Sequence, residues 1–261
     1  MTLSAEAVSF RAGGQRLLDA VSMSVAPGEL VALVGPTGAG KSTLLRALSG
    51  ELRPETGRVT LGGRSLDTLG SAEWSRRRAL LCQEAAMPAG VLAAELVLLG
   101  RLPHGDRAAR GAGLAAKAMS TMAVAHLASR DAATLSGGEL QRVHVARALT
   151  QAGHGSGPET RYLLLDEPTA QLDWAAAMRL VGLAQAEARQ GAGVVMATHD
   201  LNLAARFADT VVVLRAGRVL SAGPIDTALS VEVVQAAFDL SVTEVTVESV
   251  DGERRRRVFV P

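Results

Sequence analysis

Gly35-Pro36-Thr37-Gly38-Ala39-Gly40-Lys41-Ser42-Thr43 follows the apolar run Leu30–Val34 and precedes Leu44-Leu45-Arg46-Ala47-Leu48-Ser49-Gly50. Five consecutive apolar residues read as a strand buried on both faces, and the helix after the loop is expected to stop at Gly50. Between them GxxxxGK[ST] is satisfied at every fixed position. Glycines at these places let backbone N–H groups curl around phosphate oxygens with no Cβ in the way. The helix beginning near Lys41 turns its positive end toward the same anion. Lys41 then reaches the β- and γ-phosphates of a nucleotide, and the Ser42 hydroxyl can ligate Mg²⁺. The alternative is a glycine-rich turn that merely carries a lysine. Composition weighs against it, because Lys41 and Lys117 are the only lysines among 27 basic residues.

Farther along, residues 161–166 (RYLLLD) form a second buried apolar run that ends in a carboxylate. In sheets of this kind ligands bind at the carboxyl ends of the strands, so Asp166 is placed to hold Mg²⁺ through water. Glu167, one residue beyond, is placed to orient or deprotonate an attacking water. Alone, such an acidic pair could equally be a helix N-cap; coupled to the glycine loop, it reads as chemistry.

The remaining elements arrange themselves around these two. Residues 3–9 and 20–26 alternate weakly and predict strands that turn at Gly13–Gly14, with another strand at 57–62. Residues 194–198 (VVMAT) form a further buried strand, and a helix from about 174 to 190 precedes it. Strand and helix alternating in this way imply a parallel sheet with covering helices. The stretch from about 72 to 150 reads as mostly helical, broken near 88–90, 103–105 and 111–113. Residues 243–250 and 258–260 flank Asp251-Gly252, a favoured hairpin turn pair. The 261 residues, 48 % apolar and 20 % charged with a net charge of +1, suit a globular chain without bulk attraction to nucleic acid. No apolar run is long enough to span a bilayer. The start MTLSAEAVSFRAGG lacks the basic and apolar regions of a signal peptide, and Cys82 as the only cysteine excludes an internal disulfide. The cytoplasm is the expected compartment.

Leu135-Ser136-Gly137-Gly138-Glu139-Leu140-Gln141 supplies a second anion-binding helix start: a serine, two small residues, then a helical run from Glu139. By itself it could be an ordinary capped helix. One chain has little use for two such sites at one γ-phosphate, whereas a head-to-tail pair could close each copy's LSGGE over the other's ATP. With Asp166-Glu167-Pro168-Thr169 following, the sequence resembles the nucleotide-binding subunits of ABC transporters from Leu3 to about Gly223. The resemblance implies an α/β fold: a P-loop NTPase (RecA-like) core with a parallel sheet, an N-terminal antiparallel β element and an inserted helical subdomain. It makes 1–261 a single ATPase domain. Residues 1–83 and about 151–223 form its catalytic core, about 84–150 the helical subdomain with the signature, and about 224–261 a C-terminal helix and hairpin.

The resemblance also assigns roles. Gln83 matches the glutamine that senses Mg²⁺ and the attacking water and couples to the membrane subunit. Asp173, in Ala170-Gln171-Leu172-Asp173, would cross the dimer interface. His199 in ATHD matches the histidine that contacts the γ-phosphate. Phe10 stands where an aromatic residue, commonly Tyr, stacks on adenine; a plain core Phe is the alternative. ATP and Mg²⁺ are the implied ligands. The implied partners are a second copy of the chain, polytopic membrane permease subunits and, indirectly, a substrate-binding protein, with no nucleic acid, at the cytoplasmic face of the cell membrane. Cys82 before Gln83, Glu84-Ala85 after it, and the Gly-rich link 151–160 depart from the common pattern.

A free-standing cassette suggests an importer. Residues 95–104 (ELVLLGRLPH), the 151–160 link and 230–242 (SVEVVQAAFDLSV) look like the ATPases of haem and iron-chelate uptake, haem-import subunits above all, with ferric-siderophore or cobalamin importers as alternatives. A soluble ABC protein of translation or DNA repair would need paired cassettes or a long coiled-coil insertion, and a regulatory module without hydrolysis fits poorly with Glu167 and His199. His104 and His154 are expected to be solvated loop residues rather than ligands. Arg254, Arg255, Arg256 and Arg257 are expected to guard a solvated hairpin edge rather than meet acidic lipid.

Overall fold

The computed structural model describes residues 1–82, 89–152, 161–248 and 255–260. The chain opens with β1 (Leu3–Ala12) and β2 (Gln15–Val25), a hairpin longer at both strands than the alternation alone predicts. After β3 (Leu30–Val34) and α1 (Lys41–Leu48), β4 (Thr56–Leu61) and β5 (Arg64–Ser65) join that hairpin in an antiparallel sheet of order β2-β1-β4-β5. Then come α2 (Ser71–Arg77), β6 (Arg78–Leu81), α3 (Ala93–Leu98), α4 (Ala108–Thr121) and α5 (Gly137–Ala152). The second half runs β7 (Tyr162–Asp166), α6 (Trp174–Arg189), β8 (Gly193–Thr198), α7 (Leu201–Phe207), β9 (Thr210–Arg215) and β10 (Arg218–Pro224). It ends with α8 (Ile225–Ala228), α9 (Val231–Phe238), β11 (Thr243–Glu248) and β12 (Arg255–Val260).

The central sheet has the order β10-β9-β3-β8-β7-β6 and is parallel from β9 to β6, with β10 antiparallel at one edge. Its inner strands β3, β8 and β7 are buried along their whole length because both faces are covered. In β3, Leu30, Ala32 and Val34 join one core while Val31 and Leu33 join the other, and β8 divides its side chains the same way. One core takes in the helical insert, α6 and α7; the other takes in α1 and the antiparallel sheet. Burial of such continuous runs supplies roughly 1.5–3 kcal/mol per large side chain.

Two segments differ from their sequence expectation. Arg78–Leu81 was expected inside the helical stretch but is the edge strand beside β7. Ala79, Leu80 and Leu81 are good helix formers, and only pairing with Tyr162–Leu165 decides otherwise. Arg257, expected on a solvated edge, is instead a clamp. Its guanidinium pairs with Glu244 at 2.5 Å, donates to the carbonyl oxygens of Ile225, Asp226 and Leu229, and lies 5.5 Å from the Phe259 ring centroid. Phe259 is buried in the core, and its backbone exchanges two hydrogen bonds with the Asn202 side chain, 2.8 and 3.2 Å. The hairpin is therefore fastened to α7 and α8. The Asp251-Gly252 turn and Arg254 lie outside the described residues.

Candidate functional site

Gly40 caps α1 with φ of 103°, in the left-handed region that favours glycine. A Cβ there would lie 2.6 Å from the Leu17 carbonyl oxygen and 2.9 Å from Leu18 Cδ2. The loop is thus wedged against the β1–β2 hairpin, and the Gly217 amide fixes it from the other side by donating to the Ala39 carbonyl at 3.1 Å. Thr37, Gly38, Ala39, Gly40, Lys41, Ser42 and Thr43 line a cleft together with Leu17, Glu167, Ala170 and His199.

Inside the cleft the Lys41 ammonium donates to the Gly35 and Pro36 carbonyl oxygens, at 2.7 and 3.2 Å, and lies 3.5 Å from Glu167 Oε1. The parallel register sets Asp166 beside Ala197, and the Glu167 amide donates to the Ala197 carbonyl at 3.1 Å. Glu167 itself takes φ of 45°, an uncommon conformation for a non-glycine residue that costs about 1–3 kcal/mol and gathers at functional sites. His199 leaves the end of β8 and meets Glu167 Oε2 through Nδ1 at 2.9 Å. An ionised carboxylate only accepts, so Nδ1 carries the proton.

Asp166 is buried, and burial pushes its carboxyl above the usual range. The Ser42 hydroxyl bonded to it lowers it in part, Glu167 raises it, and Lys41 lowers it. Its Oδ1 has no hydrogen-bond partner. A buried, unpartnered carboxylate oxygen beside a serine hydroxyl is an all-oxygen donor set suited to a hard divalent cation.

The signature segment forms a capping box. Ser136 N and Oγ donate to Glu139 Oε2 at 2.9 and 2.7 Å, and the Glu139 amide donates back to Ser136 Oγ at 3.4 Å. The Ser136 bonds hold the Glu139 carboxyl below its usual range. Two glutamines join this segment to the chain beyond Asp166, and sequence reasoning singled out neither. Gln141 Nε2 donates to the Pro168 carbonyl at 3.0 Å in a buried contact. Gln171 covers the glycine pair: a Cβ on Gly137 would lie 2.5 Å from Gln171 Oε1, and one on Gly138 3.0 Å from its backbone oxygen. The signal was available in AQLD and in the Gln after LSGGEL, but no local pattern says what a glutamine amide meets. Asp173 caps α6 by accepting from the Ala176 amide at 2.7 Å.

Phe10 is half-buried opposite Leu18 and packs on the core under the antiparallel sheet, while the hairpin residue lining the cleft is Leu17. His104 is not a solvated loop residue. It ends a 3-10 helix, Leu99–His104, and its Nε2 bonds the Gln151 carbonyl at 2.9 Å at the end of α5. Gln83 and His154 lie outside the described residues, as do Glu84-Ala85 and 153–160. No helix among the described residues is long and apolar enough to cross a membrane.

Residues 18–170 match the ABC transporter family. The hemin import ATP-binding protein HmuV of Gloeobacter violaceus is 43 % identical over 91 % of this chain and 87 % of its own length. The protein of that name from Myxococcus xanthus is 45 % identical over 93 % and 91 %. Among solved structures, a transporter described as of metal-chelate type, in an inward-facing conformation, aligns with TM-score 0.82 and 26 % identity. That alignment covers all of this chain and 96 % of the other. A dimeric bacterial ABC transporter cassette aligns with TM-score 0.74 and 26 % identity over 85 % and 98 % of the two chains.

Proposed function

Because the chain belongs to the ABC transporter family as an ATP-binding subunit with ATPase chemistry, we propose that it powers an importer that brings haem across the cytoplasmic membrane. In this reading two copies bind ATP head to tail at the cytoplasmic face, against membrane permease subunits served by a substrate-binding protein. The observation that carries the ATPase part is the convergence of Lys41, Glu167 and His199 on one cleft, with Asp166 bonded to the cleft residue Ser42. The haem part is supported by relatives of that function above 40 % identity across nearly the whole chain.

The residues divide the work as follows. Lys41 exchanges its loop carbonyl contacts for β- and γ-phosphate oxygens, joined by the backbone amides of residues 37–43. Glu167, its carboxylate held between Lys41 and His199, takes the proton of the water that attacks the γ-phosphorus. His199 keeps that carboxylate oriented and adds a donor near the γ-phosphate. Ser42 and Asp166 would hold a magnesium ion, with Gln83 completing the set; when bound, the ion supplies positive charge to the phosphates. Ser136, Gly137 and Gly138 of one copy, positioned by Glu139, close over the ATP of the other, and Asp173 meets the opposite copy. Leu17, which lines the cleft, and the half-buried Phe10 of the same hairpin are the residues offered to the adenine. Opening follows hydrolysis, once the γ-phosphate no longer bridges the copies, and Gln83 passes the motion to the membrane subunits.

Uptake by cells that lack the chromosomal copy, complemented with the wild type or with Glu167→Gln, tests the cargo. Restoration of haem uptake by the wild type alone supports the reading. Restoration of only ferric-siderophore or only cobalamin uptake replaces haem with that cargo and leaves the ATPase intact.

A further inference from the structure

Of the two tryptophans in the chain, Trp74 is 5 % exposed and donates its indole N–H to the Ser49 carbonyl, whereas Trp174 is 73 % exposed. An aromatic side chain of that size left in water forfeits the burial that ordinarily retains tryptophan in a sequence. Its position is specific. Trp174 is the first residue of α6, directly after the capping Asp173. The loop leading to it begins at the phosphate cleft, which Ala170 lines, and passes over the signature glycines, where Gln171 rests on Gly137 and Gly138. Cleft, loop and signature thus follow one another along one side of the molecule.

Two-fold symmetry gives that order a consequence. In an isologous pair the cleft of each copy meets the signature of the other. The segment lying between cleft and signature then falls near the axis and meets its own counterpart. We propose that Trp174 is the aromatic anchor of the ATP-bound pair, packing on the loop and first α6 turn of the second copy. This inference rests on the head-to-tail reading above. The occupant is a second copy because the exposed ring continues the rim that the two half-sites share. Ala175 next to it is exposed as well, which leaves room for a ring from across the axis. Buried tryptophans at interface centres are the residues whose truncation most weakens association.

The full-length Glu167→Gln protein, which holds ATP without consuming it, provides the test. Because Trp74 is buried, iodide quenches the emission of Trp174 selectively. Sedimentation with and without Mg·ATP reports the dimer, and quenching reports whether Trp174 is covered. The expected result is an ATP-dependent dimer in which quenching is largely lost. In addition, a Trp174→Ala version should dimerise at least ~10-fold more weakly while each monomer binds a fluorescent ATP analogue as before. A dimer in which Trp174 stays as quenchable as in the monomer, or which Trp174→Ala forms equally well, overturns the anchor and leaves the head-to-tail reading standing. If no dimer forms with Mg·ATP, the head-to-tail reading fails and the anchor fails with it.

Discussion

At the scale of single residues, the carboxylates of the cleft have opposite surroundings. Glu167 lies between an ammonium and an imidazole N–H, so its charge is compensated. Replacing it with Gln keeps the shape and removes the proposed base. Hydrolysis should slow by roughly 10²–10⁴, a barrier increase of about 3–5 kcal/mol, with ATP binding largely retained. Phosphate release at the wild-type rate would remove Glu167 from the mechanism. Asp166 is buried with one oxygen unpartnered, and its folded-state pKa is raised. A raised carboxyl favours the fold at pH below the unfolded value and opposes it once the group ionises, so at neutral pH the charge is a penalty. Asp166→Asn should therefore raise the melting temperature of the nucleotide-free protein. It should also remove the Mg²⁺ dependence of ATP binding. A fall in melting temperature would show that the Asp166 charge is compensated in the fold.

At the scale of elements, α5 carries both the signature and a liability. His144, buried on this helix with Nε2 unpartnered, is pushed down to about 4 by burial and then by Arg147. Its folded pKa lies below the unfolded value, so the stability it permits is complete above about pH 6.5 and drains as pH falls toward 4. At pH 5 the loss is no more than about 2 kcal/mol. His144→Leu should flatten that part of the curve in urea melts between pH 5 and 7, and an unchanged slope would assign the acid sensitivity elsewhere. The elements also show what could be read in advance. The glycine loop, RYLLLD and LSGGE were legible because each packs its chemistry and its structural context into a few contiguous residues. Arg78–Leu81 was not, since four residues of helix-forming composition become a strand only through a partner more than eighty positions away. The strands Thr210–Arg215 and Arg218–Pro224 did announce themselves, in VVVL and the Ala216-Gly217 turn, and the sequence reading passed over them. Gln171 and Arg257 were illegible for another reason: their partners are backbone oxygens and glycines that leave no residue-type signature.

For the whole molecule, the head-to-tail reading makes the capped serine of the signature the part offered to another copy. A large cation there should block closure without touching the chain's own cleft. In the Glu167→Gln background, Ser136→Arg should still bind Mg·ATP yet elute as a monomer, and in the wild-type background it should hydrolyse at least ~10² more slowly. A dimer of normal stability would exclude this face from the contact. The fold carries a further implication at its far end. The final strand is stitched by a side-chain amide to the helix that leaves His199, so the tail is not a spare handle. A purification tag or fluorescent fusion placed beyond β12 would pull on a seam three residues from His199. Turnover of such a fusion is expected to differ from that of the untagged chain.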